Sequence, residues 1–376
     1  MASNFSSIPI LDFAETKSPA TRAKFVSDLR NALVNIGFFY LTNHSIPEDL
    51  QVELREEANQ FFDLPIEKKS EIEMVHSKHY YGYVRVGNEF SGPNADYRES
   101  LTLGMENPEP AADEPLYRNM TGPNLWPPEA TLPTFRSTVT NYISSIRHLA
   151  ESFKPLAAEA LGLEPTALLP FFDDRPADRF KLIKYPEPSS LQSLASSKSE
   201  NAQDPTVFSG IGPHKDGTFL TFLLQGTDHA GLEIQNKSGE WIPATPVPGT
   251  LVVNIGRGFE ALTGGVCSAT THRVNLHPEN FVDRETGEAL GARLSFPFFQ
   301  TFRLDLRKEE MPLKLPREIM QLVEGREVRS DARGMAQEVY DNLVGDGLFW
   351  GSAIKHPRVA RKWYPEILDK AEAARV

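Results

Sequence analysis

Apolar positions recur along this chain with two different spacings, and the change from one to the other organises it. In residues 19–36, Phe25, Leu29, Leu33 and Ile36 fall on one stripe at helical spacing, with Gly37 as the stop. Residues 48–63 repeat the pattern through Leu50, Leu54, Ala58 and Phe61. The longest such run, 131–161, carries Phe135, Val139, Tyr142, Ile146, Leu149, Phe153 and Leu156 and ends at Gly162. Between these runs, Ile8-Pro-Ile-Leu-Asp-Phe and Phe38-Phe-Tyr-Leu-Thr-Asn-His44 read as strands.

From Phe180-Lys-Leu-Ile-Lys-Tyr185 onward the pattern shortens to strand length. Residues 218–225, 231–236, 240–243, 250–255, 268–275 and 292–302 are predicted strands, with turns at Asn236-Lys-Ser-Gly239 and Pro246-Val-Pro-Gly249. Short strands so closely spaced predict a double-sheet jelly roll. Ser189–Ser209 is polar and aperiodic and reads as a loop or lid, and 105–130 as a surface loop rich in Pro, Glu and Asp. The tail, 316–371, returns to helices, with Phe349, Trp350, Trp363 and Tyr364 as aromatic anchors over the barrel mouth. The expected fold is α+β: a double-stranded β-helix (jelly-roll, cupin-like) core with flanking helices and a helical C-terminal segment. The expected division is an N-terminal α/β module at 1–130, a supporting helix and linker at 131–177, the jelly-roll core at 178–305 and a helical cap at 306–376.

Composition narrows the function more than the fold. A net charge of −12, with 24% charged and 40% hydrophobic residues, is ordinary for a globular protein and argues against a nucleic-acid or anionic-membrane surface. Cys267 is the only cysteine, so an intrachain disulfide or thiolate cluster is excluded, and a small buried hydrophobe is the expected role. The first residues carry no secretory pattern, and no apolar run approaches the ~20 residues of a membrane span. A cytoplasmic protein is expected, monomeric or weakly self-associating, with a small-molecule partner.

The chemistry concentrates between Gly212 and Ser295. In Gly-Pro-His214-Lys-Asp216-Gly, strand geometry would send both potential ligands to one face. A second imidazole, His272, follows far downstream in a β-branched run, and Arg293-Leu-Ser295 is another i, i+2 pair. Two His and one carboxylate are the protein half of the facial triad of non-haem Fe(II) oxygenases, which leaves coordination positions open. Arg293 can fork onto a carboxylate while Ser295 donates to it. An isolated His-x-Asp is also what a solvated turn carries by chance, and Arg293 also suits a structural ion pair. His229, Asp228 and His277 adjoin turn residues and are assigned to the surface, and His44 to a capping or turn role.

His-x-Asp, a later His and a closing Arg-x-Ser resemble the 2-oxoglutarate/Fe(II)-dependent dioxygenases of the isopenicillin N synthase-like family. The likeness runs from Ile8 to about Phe302 and includes the N-terminal Ile-Pro-Ile-Leu-Asp-Phe and Ile-Gly-Phe-Phe-Tyr-Leu-Thr-Asn-His stretches. It implies Fe(II) held by His214, Asp216 and His272, with 2-oxoglutarate and O2 as cosubstrates. It further implies that Arg293 and Ser295 grip the distal carboxylate of 2-oxoglutarate, that Tyr185 bonds the other carboxylate, and that Asn254 stands beside the metal. The chain departs from the family at three places. Ile183 replaces a frequent Asn, with Lys181 (or, from the other face, Lys184) as substitute; Arg257 replaces a frequent Asp; and the polar run Pro278–Gly291 lengthens the gap before Arg293.

The implied activity is hydroxylation, desaturation or ring rearrangement of a small organic molecule, a specialised metabolite, with release of succinate and CO2. Tyr81, Tyr83, Glu89, Phe90, Phe349 and Trp350 are the candidate substrate contacts, although aromatic residues at 80–90 equally suit the wall of a core. Their aromatic character suggests a largely apolar substrate. The alternatives are an oxidase working without 2-oxoglutarate, an ethylene-forming enzyme, to which Gly-Tyr-Val-Arg-Val-Gly-Asn-Glu89 is mildly similar, and a non-catalytic cupin-like binding protein.

Overall fold

A computed structural model describes residues 4–91, 94–195, 209–283, 285–311, 313–325 and 343–373. The first half contributes β1 (Ile10–Asp12), β2 (Phe38–Thr42), β3 (Gly82–Val84), β4 (Phe90–Ser91), β5 (Asn94–Ala95), β6 (Glu99–Gly104) and β7 (Arg179–Tyr185). The second half contributes β8 (Ser209–His214), β9 (Leu220–Gln225), β10 (Leu232–Gln235), β11 (Trp241–Pro243), β12 (Thr250–Ile255), β13 (His272–Asn275) and β14 (Arg293–Gln300). Eight of them form one sheet in the order β1-β2-β12-β9-β14-β7-β6-β3, and four form a second in the order β11-β10-β13-β8. The jelly roll expected from the strand spacing is present.

The sheets close on each other because their facing residues are apolar. Phe38, Tyr40, Leu223 and Val252 of the large sheet cluster with Ile211, Leu232, Ile234 and Val274 of the small one. The other face of the large sheet is covered by helix Phe135–Ala160, whose whole predicted stripe is buried. Tyr142 meets Phe180 at 5.4 Å between ring centroids, and Phe153 meets Phe222 at 5.2 Å. Each such side chain stabilises the fold by roughly 1.5–3 kcal/mol through the area it withdraws from water. Gly162 stops the helix at φ 68°, a conformation that a side chain would strain. Helix Pro19–Asn31 runs into a π-helical turn at Ala32–Ile36 before Gly37 ends it at φ 82°.

Two expectations change. Pro188–Ala195, within the expected Ser-rich loop, is helical; 196–208 lie outside the described residues. Ser209–His214 is a strand, although Gly-Ile-Gly-Pro carries no alternation; pairing with β13, not local propensity, makes it one. In the tail, helices Val344–Lys355, Pro357–Trp363 and Pro365–Ala373 follow one another. Phe349 and Tyr364 lock onto Tyr80 at 5.9 and 6.0 Å, tying the tail to the segment before β3.

Candidate active site

β8 ends at His214, and antiparallel register sets His272 of β13 directly opposite, with ring centroids 4.2 Å apart. Asp216 is not on the strand. It lies in the following turn, whose carbonyl accepts from Arg257 N at 2.7 Å, so the shared face arises from a turn rather than from strand alternation. Its Oδ1 stands 3.7 Å from His214 Nε2 and 3.8 Å from His272 Nε2. One ligand atom from each residue lies within 4.8 Å of the others, a grouping that suits one ion.

Hydrogen bonds orient every member of this trio. His214 Nδ1 bonds the Gly212 carbonyl at 2.8 Å and His272 Nδ1 the Thr270 carbonyl at 3.2 Å. Each Nδ1 must therefore carry the proton, which leaves the Nε2 lone pairs facing Asp216. Asp216 Oδ2 accepts from Thr221 Oγ1 at 2.7 Å and Asn254 Nδ2 at 2.8 Å, and these two residues are cross-strand neighbours. Oδ1 is thereby left for a metal. Burial and the neighbouring His272 push the His214 imidazole down to about 3, so it is neutral at physiological pH. Burial alone would raise the Asp216 carboxyl; the two imidazoles and the bonds from Asn254 and Thr221 outweigh it and bring it to about 2. Neutral imidazoles and one carboxylate form a donor set suited to a divalent ion.

A wall from the first third of the chain supports His272. Phe38 packs edge-on against its ring at 5.2 Å, and Thr270 Oγ1 donates to the Ile36 carbonyl at 2.6 Å. A β-carbon on Gly37 would come within 2.3 Å of Thr270 Oγ1, so only glycine permits this approach.

Arg293 pairs with Tyr185, and Ser295 with Ile183, across β14 and β7. Directly paired residues share a face, so Arg293, Ser295, Tyr185, Ile183 and Lys181 line the barrel interior. The Arg293 side chain is 1% exposed, lies 5.0 Å over the Tyr185 ring, and has both terminal nitrogens without a hydrogen-bond partner. A buried guanidinium with two free donors is a socket for a carboxylate. Asn254 bonds Asp216 and so stands beside the metal position. Lys181 Nζ reaches Glu89 Oε1 at 2.7 Å.

The remaining candidates separate. Glu89 is buried near the interior end of β7, where Lys181, Arg98 and His356 surround it. Tyr83 faces the helix side, packs on Phe61 and donates to Glu99 Oε2 at 2.6 Å. Tyr81 is buried and donates to the Met120 carbonyl. Phe90 and Trp350 are half-buried, and Phe349 belongs to the aromatic cluster around Tyr80. His229 is buried rather than at the surface, bonded through its two ring nitrogens to Thr227 Oγ1 and the Gly291 carbonyl. Sequence reasoning missed Thr221 and His356, and it did not place Arg98 among the substrate contacts. For Arg98 a signal existed: Ser100-Leu-Thr102-Leu alternates polar and apolar residues as a strand with one polar face does, and Arg98 stands on the same parity as Ser100 and Thr102.

Comparison with known proteins agrees with this geometry. Residues 8–129 match the family described as non-haem dioxygenase in morphine synthesis N-terminal, and residues 185–301 match the 2OG-Fe(II) oxygenase superfamily. A "2-oxoglutarate-dependent dioxygenase" of Gibberella zeae is 42% identical over 371 residues, which is 99% of this chain and 94% of that one. The soybean (Glycine max) protein "Homoarginine-6-hydroxylase 2-ODD-C23" is 35% identical over 73% of this chain and 82% of its own. Among solved structures, a full-length Neurospora crassa protein in complex with alpha-KG superposes with a TM-score of 0.69 at 23% identity, covering 92% of this chain and 96% of that one, a likeness of fold.

Proposed function

This chain belongs to the 2OG-Fe(II) oxygenase superfamily, and on that premise we propose that His214, Asp216 and His272 hold Fe(II) while Arg293, Ser295 and Tyr185 hold 2-oxoglutarate. The protein is an Fe(II)- and 2-oxoglutarate-dependent dioxygenase acting on a small molecule. The observation that carries the residue assignment is Arg293, a buried guanidinium with two unpartnered donors on the face that Tyr185 shares. It favours 2-oxoglutarate use over an oxidase that dispenses with it.

Fe(II), 2-oxoglutarate and O2 together supply the oxidation when bound, with succinate and CO2 released. The protein's own residues hold and shield. Thr221 and Asn254 fix one Asp216 oxygen so that the other points at the imidazoles. The Gly212 and Thr270 carbonyls fix the imidazole tautomers. Arg293 fixes the cosubstrate's far end by charge-assisted bonds. Phe38 and the interior apolar residues exclude water.

No described helix is long and apolar enough to cross a membrane. We place the protein in the cytosol, as a monomer or weak homo-oligomer without nucleic-acid or membrane partners, on its acidic charge and lone cysteine. The soybean relative's name and the charged interior around Glu89 both support a charged small molecule over the apolar one that the aromatic residues suggested.

The test is an anaerobic visible titration of the purified protein with Fe(II), then 2-oxoglutarate. A metal-to-ligand charge-transfer band on adding 2-oxoglutarate is expected. Iron binding without the band would favour the oxidase, and no iron binding would favour a binding module.

A further inference from the structure

Beyond the clamp, the interior face of the large sheet stays polar where a core would be apolar. Register carries this face from Ser295 through Ile183 to Ser100, and through Lys181 to Thr102. Ser100 is 1% exposed and Thr102 fully buried, and neither hydroxyl has a hydrogen-bond partner. Glu89, 2% exposed, receives Lys181 Nζ on Oε1 at 2.7 Å. Its Oε2 accepts no hydrogen bond, although Arg98 Nη2 stands 3.2 Å away, out of alignment. Arg98 is 6% exposed and bonds Asp96 at 3.0 Å, but its Nε has no partner. Each buried group left in this state destabilises the fold. One or two are tolerable; a contiguous set of both signs marks a place for a ligand.

The wall is part of the reaction chamber. Tyr97 N donates to the Ser209 carbonyl at 3.2 Å, docking the segment that holds Arg98 onto β8, the strand of His214. The Tyr185 ring lies 5.0 Å beneath the Arg293 guanidinium and is close enough to Arg98 to interact with its charge, so it stands between the wall and the clamp. Lys355, at the end of helix Val344–Lys355, is close enough for its charge to reach His214, Asp96 and Lys181.

We propose that Glu89, Arg98, Ser100, Thr102 and Lys181 form the substrate subsite, and that its ligand is a small amino acid carrying both a carboxylate and an ammonium group. The argument lies in the signs of the unfilled atoms. Arg98 Nε is a donor lacking an acceptor, and Lys181 has donors beyond the one that Glu89 takes; a carboxylate satisfies them. Glu89 Oε2 is an acceptor lacking a donor, and an ammonium satisfies it. A simple acid would leave Glu89 unfilled, and a simple amine would leave Arg98 unfilled. Ser100 and Thr102 donate or accept as the rest of the ligand requires. Burial lowers Lys181 to about 8, against the raising effect of Glu89, and a bound carboxylate would raise it again.

This inference rests on the oxygenase reading and is tested separately from it. Calorimetry on the full-length protein loaded with Mn(II) and 2-oxoglutarate would use the common L-amino acids. Each would be compared with the acid lacking its amine and the amine lacking its carboxylate. At least one amino acid is expected to bind, with both partial analogues at least tenfold weaker. Glu89→Gln should weaken it tenfold or more while 2-oxoglutarate affinity holds. Thr102→Val, nearly isosteric, should weaken it several-fold with no change in melting temperature, which separates recognition from folding. Binding of acids alone, of amines alone or of no amino acid overturns the subsite. Loss of 2-oxoglutarate binding in the unmutated protein would overturn the oxygenase reading instead.

Discussion

Two faces of the same three strands do opposite work. On β7 and β14, Phe180, Leu182, Leu294 and Phe296 point to the helix side, while Lys181, Ile183, Tyr185, Arg293 and Ser295 point inward. On β6, Leu101 and Leu103 face the helices, and Ser100 and Thr102 face in. The outer residues pack completely among themselves and against helix Phe135–Ala160. Inward, Arg293, Ser100 and Thr102 are just as buried but carry polar atoms without protein partners. The outer face accounts for stability; the inner face carries a cost in stability that a ligand removes.

That contrast can be broken from either side. Phe180→Ala should have the largest effect, about 3–5 kcal/mol of unfolding free energy, because it opens a cavity against Tyr142. Denaturant unfolding checks it; a loss below about 1 kcal/mol would mean that the outer face is not the foundation described. Arg293→Leu should behave oppositely. Cosubstrate affinity should fall by about 2–5 kcal/mol, while the melting temperature holds or rises, since an apolar side chain removes a buried unpaired cation. A melting temperature several degrees lower would show Arg293 to be structural.

The smallest effect concerns an acid on the outer side. Asp178 is buried and accepts from Thr301 N at 2.7 Å; burial pushes its carboxyl up to about 7 despite that bond. Its folded value therefore lies above its unfolded one. Its contribution to stability is full below about pH 4 and is lost as pH rises through about 7. Melting temperature should fall between about pH 4 and pH 7 and level off above, and Asp178→Asn should flatten that part of the profile.

The difference between the faces also explains what the sequence disclosed. His214, Asp216, His272 and Arg293 were legible because each sits in a short distinctive context, and the jelly-roll strands because turns punctuate them. His356 was not singled out, since it reaches Glu89 only when the C-terminal helices fold over the barrel, whereas Arg98 meets Glu89 across the local β4–β5 hairpin. Alternation reported which β7 residues share a face, but not that the far side of Lys181 holds a carboxylate. β8 was read as extended only around His214, because Gly and Pro disguise the rest of a strand that pairing creates. His229 was misplaced because a neighbouring turn residue says nothing about the carbonyl of Gly291, brought in from a distant loop.

The wall behind His272 has a consequence for how the protein can be divided. β2 lies inside the large sheet, between β1 and β12, and Phe38 and Ile36 on either side of Gly37 brace the segment that aims the imidazole. A fragment beginning after residue 130 would keep every ligand and the whole clamp. It would also bare the backbone edge of β12 and strip His272 of its lateral support. Under the proposed assignment, iron capture is a property of the assembled chain, and the early residues, which contribute none of the proposed ligands, are as much a part of that site as those that do.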